Sequence, residues 1–439
     1  MGIKVTKFGG SSVADGIQLT KTKNIIEADP DRKYVVVSAP GKRFDGDNKI
    51  TDLLYLCKTH MEHNLPYDQI FQVVADRYMA VEINLGVDVG MSDILNEIRD
   101  NLRKNPSADY IASRGEYLNA ILIAAFLGYD FVDTVGLVCF DAKGRFLENE
   151  TNEALKAELA KHERAVLPGF YGSTPDGEVK TFSRGGSDIT GALVARAVEA
   201  DVYENWTDVS GFLIADPRIV KHPKQIGVIS YKELRELSYM GASVLHEDAI
   251  YPARVAGIPI NIRNTNKPED PGTMITDDIS GRKDDHVITG IAGSKDFTVV
   301  ALYKNMMSSE RGFVRRILGI LDDYDINFEH LPSGIDTVSV VMSDKSIDGQ
   351  LDEVLEAFEN RLRPDSIDVI QDIALIATVG QGMDRRAGTS AKLFTALADA
   401  NVNIRMIDQG SSEMNIIVGV ENRDFETAIR AIYNAFITE

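Results

Sequence analysis

The chain has 439 residues, 44% of them hydrophobic and 26% charged, which is the balance of a folded globular protein. At roughly 150 residues per domain that length suits two or three domains. With 47 Lys and Arg against 67 Asp and Glu, the formal net charge of −20 argues against a surface built for nucleic acid or anionic lipid. An anionic ligand would need a locally basic pocket.

Two cysteines, Cys57 and Cys139, cannot build a disulfide framework and lack metal-ligand spacing, so a reducing, cytoplasmic setting is expected. No stretch reaches the ~20 apolar residues of a membrane helix, and no signal peptide is evident. Met1-Gly2 with Thr6 fits a myristoylation pattern, but Ile3 to Phe8 reads as a first strand.

In chain order, Ile3 to Val5 leads into Gly9-Gly10-Ser11-Ser12, and Tyr34 to Val37 stops at Ser38-Ala39-Pro40. A helix ends near Gly128 before Phe131 to Thr134, and Val202 to Glu204 runs into Trp206-Thr207-Asp208. Near-continuous apolar strands separated by helices predict an α/β fold, a mostly parallel sheet with helices on both faces. Ligands of such sheets bind at the carboxyl ends of the strands. Asn264 to Asp285, rich in Pro, Gly and Asp, reads as a polar connector. Beyond it an offset of 76 positions relates Phe297 to Ile373, Gly312 to Gly388 and Val340 to Ile416. Two βαββα modules are predicted, each a small sheet faced by two helices. The expected domains are 1–280, 286–365 and 366–439.

Several motifs carry chemistry. In Lys7-Phe8-Gly9-Gly10-Ser11-Ser12, adjacent glycines let backbone N–H groups approach phosphate oxygens, and Lys7 reaches the same anion; a tight turn beside a lysine, with Ser11 as a cap, is the bland alternative. Neither the P-loop nor the G-x-G-x-x-G pattern occurs. In Arg184-Gly185-Gly186-Ser187-Asp188 a second glycine turn opens a helix, and Arg184 is placed to grip a carboxylate; otherwise Ser187 or Asp188 is a cap. Asp208 suits Mg2+ or a ribose and Arg218 a phosphate, although Asp208 and Asp216-Pro217 are also turn formers. Ser113 and Glu116 match a capping box, and Thr51 an N-cap; spacing alone favours those structural roles. The seven histidines form no ligand pattern, and there is no Ser-His-Asp arrangement.

Taken together, Lys7 to Val13, Phe182 to Asp188, Trp206 to Gly211 and Asp216 to Arg218 resemble, in order, the signatures of the aspartate kinases of the amino acid kinase superfamily, and the repeated tail resembles paired ACT modules. The resemblance implies transfer of the ATP γ-phosphoryl group, with Mg2+, to the side-chain carboxylate of L-aspartate. It implies Lys7 and Asp188 as catalytic residues, and Lys7, Gly9, Gly10, Ser11, Thr207, Asp208, Leu213 and Arg218 at ATP. Ser38, Thr51, Glu116, Arg184, Ser187 and Asp188 would hold aspartate, which reverses the capping reading of Glu116 and Thr51. A carboxylate nucleophile is already ionised at neutral pH, so no general base is required. The resemblance further implies feedback inhibition by an end-product amino acid, lysine favoured over threonine. That effector would sit at Met306 to Phe313 and Gln381 to Gly388, in a homodimer or dimer of dimers.

Two departures stand out. Ser243 and Glu247 occupy positions where many relatives carry lysine and proline, leaving Lys42, Lys49 or a second metal ion as substitutes. The Gly41 to Ile50 loop is long and reads equally as a lid or a plain solvated loop. No dinucleotide fingerprint follows the repeat, so a monofunctional enzyme is expected. A kinase for glutamate or an N-acetylated amino acid, and a non-catalytic amino-acid sensor, are the rival readings.

Overall fold

A computed structural model describes residues 2–183, 185–241, 247–279, 286–383 and 386–438. The chain divides into two compact units. The first comprises Met1–Phe212, Gln225–Tyr231 and Val244–Lys283, and the second Leu213–Lys224, Lys232–Ser243 and Asp284–Glu439.

The first unit contains β1 (Lys4–Phe8), α1 (Gly16–Glu27), β2 (Arg32–Val37), α2 (Ile50–Glu62), α3 (Asp68–Leu85), α4 (Met91–Leu102) and α5 (Ala108–Leu127). There follow β3 (Asp130–Phe131), α6 (Glu148–Leu159), β4 (Ala165–Pro168), the hairpin β5 (Tyr171–Ser173) and β6 (Val179–Thr181), α7 (Gly186–Ala197) and β7 (Val202–Thr207). After β8 (Val228–Ile229) come α8 (Tyr231–Tyr239), mostly in the second unit, α9 (Glu247–Val255), β9 (Ile260–Asn264) and β10 (Thr273–Ile275). The main sheet has the order β3-β4-β2-β1-β7-β9-β10-β8 and is parallel except where β10 meets β9. Its central strands are buried on both faces, with Val5, Val35, Val36 and Val37 at 0% exposure, as the β-branched runs predict. The expected connector therefore begins too early: β10 lies inside it and joins this sheet between β9 and β8.

Helix starts correct several readings. Asp15 caps α1 by accepting from the Gln18 N–H, so Ser11 is not its cap. Lys49 occupies the N-cap position of α2, which puts Thr51 inside the helix. Ser107 caps α5, so the Ser113 and Glu116 pair lies mid-helix and is not a capping box. Gly185, not Ser187 or Asp188, is the N-cap residue of α7.

The second unit is built on β11 (Gly290–Tyr303), α10 (Phe313–Asp323), β12 (Thr337–Ser343), α11 (Leu351–Leu362), β13 (Ser366–Val379), α12 (Thr389–Asp399), β14 (Met406–Asp408), β15 (Asn415–Glu421) and α13 (Phe425–Tyr433). The repeat is real: β11 and β13 are each 14 residues long, and Gly312 and Gly388 head α10 and α12. The two copies do not form separate sheets, however. β11 pairs antiparallel with β13 along most of its length, giving one sheet, β12-β11-β13-β15-β14. The first copy is also not a full βαββα, because the counterpart of β14 is reduced to isolated bridges at His330 and Ser333. Ile317, Leu321, Val340 and Phe358 fill the first copy's core.

Candidate active site

The carboxyl edge of the main sheet gathers the predicted motifs. Beyond the strand ends, Gly9 N–H bonds Trp206 O (3.0 Å), Ser38 N–H bonds Phe8 O (3.2 Å), Gly169 N–H bonds Val37 O (2.9 Å) and Thr265 N–H bonds Thr207 O (2.8 Å). The turns after β1, β2, β4, β7 and β9 are thus locked side by side. Gly10 and Gly41 approach so closely that a Cβ on Gly41 would lie 2.7 Å from Gly10 C, while Gly41 N–H bonds Gly10 O (2.8 Å). Neither position has room for a side chain, and the backbone donors of the first glycine turn are fixed by that contact.

Lys7 is the penultimate residue of β1 and is 7% exposed; its Nζ lies 2.5 Å from Asp188 Oδ1 in the first turn of α7. The two glycine turns, far apart in sequence, meet through this ion pair. Asn205 on β7 donates its side-chain amide to the same Asp188 oxygen (2.7 Å), and the buried Tyr203 hydroxyl donates to the Asp188 carbonyl (3.1 Å). Asn205 and Tyr203 had no motif to flag them; the one available signal was their position on the strand that enters Trp206-Thr207-Asp208.

Glu116 lies mid-way along α5 at 5% exposure, and its Oε2 has no hydrogen-bond partner. Burial pushes its carboxyl up to about 8, a rise only partly offset by the Ala39 and Glu116 N–H groups and by the charges of Arg114 and Lys7. A buried carboxyl with an unmatched oxygen is poised to meet a cation. Asn119, one turn further along α5, donates to Ser38 O (2.7 Å), which ties the end of β2 to the Glu116 face. Tyr55, one turn beyond Thr51 on α2, has its hydroxyl pKa raised by burial and by the charges of Asp109 and Glu116.

The Gly41 to Ile50 loop is neither free nor simply solvated. Arg77 of α3, 6% exposed, donates to Gly41 O, to Ala14 O (3.0 Å) and to Asn48 O (2.9 Å), which pins both ends of the loop. Within it, Arg43 pairs with Asp47 (2.8 Å), and that contact holds the Asp47 carboxyl well below the usual range. Sequence reading missed Arg77, whose partners are distant backbone carbonyls that leave no trace in spacing.

Ser187 is buried in the first turn of α7, and Ser11 lies in the short helical turn Gly10–Val13. Thr207 donates its hydroxyl to Asp208 (3.2 Å), and Asp208 is exposed at the end of β7. Leu213 and Arg218 belong to the second unit, where Arg218 grips its own neighbour Asp216 through its backbone N–H (2.8 Å) and its guanidinium, with Nε at 3.0 Å and Nη2 at 2.6 Å. Arg184 and Ser243 fall outside the described residues, as does the Glu247 side chain. Among the described residues no group of three or more His, Cys, Asp or Glu could hold a metal by itself. Asp208, exposed at the end of β7, is a carboxylate able to share a divalent ion with phosphate oxygens, a division of ligands that suits Mg2+.

In the second unit a cavity of about 380 Å3 borders the start of α12, lined by Arg386, Thr389, Ser390, Gln409, Ser411 and Glu413 among others. The buried Glu233 of α8 accepts from Thr289 Oγ1 (2.5 Å) and from the Gln381 N–H (2.8 Å), at the head of the segment leading to that cavity. Among the described residues no helix is long and apolar enough to cross a membrane.

Residues 2–264 match the sequence model of the amino acid kinase family and residues 376–436 that of an ACT domain. The chain is 40% identical to aspartokinase 3 of Bacillus subtilis, covering 99% of itself and 98% of that protein. Its structure matches the aspartate kinase of Clostridium acetobutylicum with a TM-score of 0.92 at 53% identity, over 99% of this chain and 100% of that one. It also matches E. coli aspartokinase III in complex with aspartate and ADP, at a TM-score of 0.73 and 26% identity over the full length of both. The same protein in complex with lysine and aspartate matches at 0.73 and 25% identity, over 99% of each chain.

Proposed function

The chain belongs to the aspartate kinases of the amino acid kinase family, and on that premise we propose how its residues perform and regulate the reaction. The β-carboxylate oxygen of L-aspartate attacks the γ-phosphorus of ATP, the bond from that phosphorus to the β,γ-bridging oxygen breaks, and ADP leaves with 4-phospho-L-aspartate as product. Both reactants are anions, so the protein's work is charge neutralisation and alignment. Lys7 neutralises the transferring phosphoryl group, and the N–H groups of Gly9 and Gly10, with Ser11, hold the phosphates. Asp188 sets the position of the Lys7 ammonium, while Asn205 and Tyr203 fix Asp188 itself. Mg2+ would supply further neutralisation on the phosphates, with Asp208 as a candidate ligand; Thr207 adds a nucleotide contact, and Leu213 and Arg218 match nucleotide-contacting positions of the family.

Glu116 takes the substrate ammonium, which matches the unpartnered oxygen, and Asp188 contributes to that subsite. Arg184, Ser187, Ser38 and Thr51 complete the aspartate pocket. The observation that carries this reading is the 2.5 Å Lys7–Asp188 pair, which joins the two glycine turns at one sheet edge beside the buried Glu116.

We assign residues 1–280 to the kinase domain and 286–365 and 366–439 to regulatory modules, working as a homodimer or dimer of dimers in the cytoplasm. An end-product amino acid, lysine before threonine, would occupy the cavity at Arg386, Ser390 and Glu413. E. coli aspartokinase III, solved with lysine, is the relative that supports this choice. Glu233 links that segment to α8, a two-ended contact able to bias the enzyme. The test is hydroxamate formation from ATP and aspartate, repeated with glutamate and with N-acetylglutamate, and then with added lysine or threonine. Turnover only with the alternative substrates refutes the reaction, and indifference to both amino acids refutes the regulation.

A further inference from the structure

We propose that the second unit carries an additional site for a small organic polyanion, in a cavity walled by residues 219–224 and α13. The cavity has a volume of about 630 Å3, within the usual range for metabolite pockets, and its lining includes Lys221, His222, Lys224, Arg430 and Tyr433. On a chain of net charge −20, Lys221, Lys224 and Arg430 around one concavity, with His222 beside them, make a local reversal of sign that attracts anions. Among the described residues, Lys221, His222 and Lys224 form no ion pair with a carboxylate. The Lys224 Nζ meets only His286 Nε2 (3.4 Å) and the Ile437 carbonyl (3.3 Å), so its charge is not neutralised. Arg430 is shared, with Nη2 on Glu426 (3.1 Å) and Nη1 on Ile219 O (3.1 Å), and serves more as wall than as ligand.

These side chains stand on fixed backbone. The buried Tyr433 hydroxyl accepts the Lys224 N–H (2.9 Å), Ile214 N–H bonds Lys224 O (2.9 Å), and the Ile219 and Val220 N–H groups both bond Asp216 O (3.0 and 2.9 Å). His222 sits in the left-handed region at φ 53° and turns the chain between the two lysines. Such preorganisation spares a ligand the cost of ordering the loop. Ile219, Val220 and Ile437 give the cavity an apolar side, which suits a carbon skeleton more than a bare inorganic ion. Phosphoryl and carboxylate groups both meet the charge requirement, so the ligand is either a phosphorylated metabolite or a polycarboxylate. The segment belongs to the second unit, yet it lies within the stretch matched by the kinase family and directly follows the nucleotide-loop residues. A ligand there would tie it to α13, a role separate from phosphoryl transfer and from the cavity at α12.

The test is calorimetric titration of the full chain at low salt with pyrophosphate and, separately, with citrate. The wild type, Lys7→Ala and the double variant Lys221→Ala/Lys224→Ala are compared, with thermal midpoints recorded to confirm folding and Lys221→Ala alone held in reserve. Lys7→Ala is expected to keep a saturable site, and the double variant to lose about tenfold or more in affinity at it. Tighter pyrophosphate binding identifies a phosphorylated ligand, and tighter citrate binding a polycarboxylate; either supports the site. The proposal is overturned if the double variant binds as the wild type does, or if Lys7→Ala abolishes all binding.

Discussion

At the carboxyl edge of the first unit's sheet a ligand would meet Lys7 and Glu116, both less than a tenth exposed, together with Asp188; at the α12 cavity of the second unit it would meet exposed Arg386 and partly buried Ser390. Each place is a strand end followed by a glycine and a helix start, so local geometry does not separate them. Burial of charge does. Stabilising a transition state needs charges held in a low-dielectric surrounding, where each is worth several times its value in water. Sensing an end product needs only a moderate, reversible affinity, which exposed and adjustable groups supply. The first unit therefore carries an energetic burden that the second avoids, and this shows in how far the two sites tolerate change.

The largest expected effect follows from removing the buried cation. Lys7→Ala should lower kcat by about 10²–10³-fold, the usual cost of losing one preorganised charge at a transition state. Circular dichroism should be unchanged, since the partner Asp188 is 21% exposed in its side chain and can take up water. A loss below tenfold would mean that catalysis does not depend on buried charge, and the contrast between the units would fail.

Glu116 sharpens the contrast through pH. Its carboxyl is raised from 4.5 to about 8 in the folded protein, so between those values the unfolded chain gives up a proton that the native one retains. Native stability should accordingly fall as pH rises through that window, by up to about 5 kcal/mol in total, and level off above pH 8. Glu116→Gln should flatten the dependence, as read from urea midpoints at pH 5 and pH 9. In the wild type aspartate should bind more tightly as pH approaches 8, because the ammonium needs the ionised carboxylate, and Glu116→Gln should bind weakly at every pH. A pH-independent KM for aspartate in the wild type would remove Glu116 from the substrate site.

For the second unit the corresponding variant is Glu233→Gln, which keeps the size of the side chain and removes its charge. Its partners include the Thr289 hydroxyl and the Gln381 N–H at the head of the segment leading to the cavity. The expected result is unchanged turnover without effector and an inhibitory concentration of lysine raised by roughly three- to tenfold, the scale of one charge-assisted hydrogen bond weakened. Equal loss in basal turnover and in feedback would show that the two functions are not carried by separate residues.

The parts of this design that were legible in the sequence are those that interrupt a pattern. The two glycine turns stop apolar runs, and their side chains emerge at strand ends, so Lys7, Gly9, Gly10 and Asp188 could be read as one edge. Glu116 was legible as a residue but not as a role on spacing alone: S-x-x-E also occurs inside a long helix, and the real cap, Ser107, lies six positions earlier. Arg77, Asn205 and Tyr203 act through partners brought near only by the sheet and by α3. The repeat was legible from its offset, but the pairing of β11 with β13 into one sheet is a long-range choice that the period of a single module does not encode.

The smallest expected effect compares the two copies of that repeat. Gly312 and Gly388 head α10 and α12 with φ of 78° and 90°, and a Cβ on Gly388 would meet no atom within 4 Å, while one on Gly312 would meet only the tip of Arg316 at 3.9 Å. Substituting Ala therefore costs backbone strain and little steric clash, about 1–2 kcal/mol at each position. Thermal midpoints of Gly312→Ala and Gly388→Ala should fall by similar small amounts. Their regulatory effects should differ, because the cavity borders α12: Gly388→Ala shifts the helix start that presents Thr389 and Ser390, so it should raise the inhibitory concentration of lysine more than Gly312→Ala does. Equal shifts would mean that both copies bind effector and that the duplication kept two working sites.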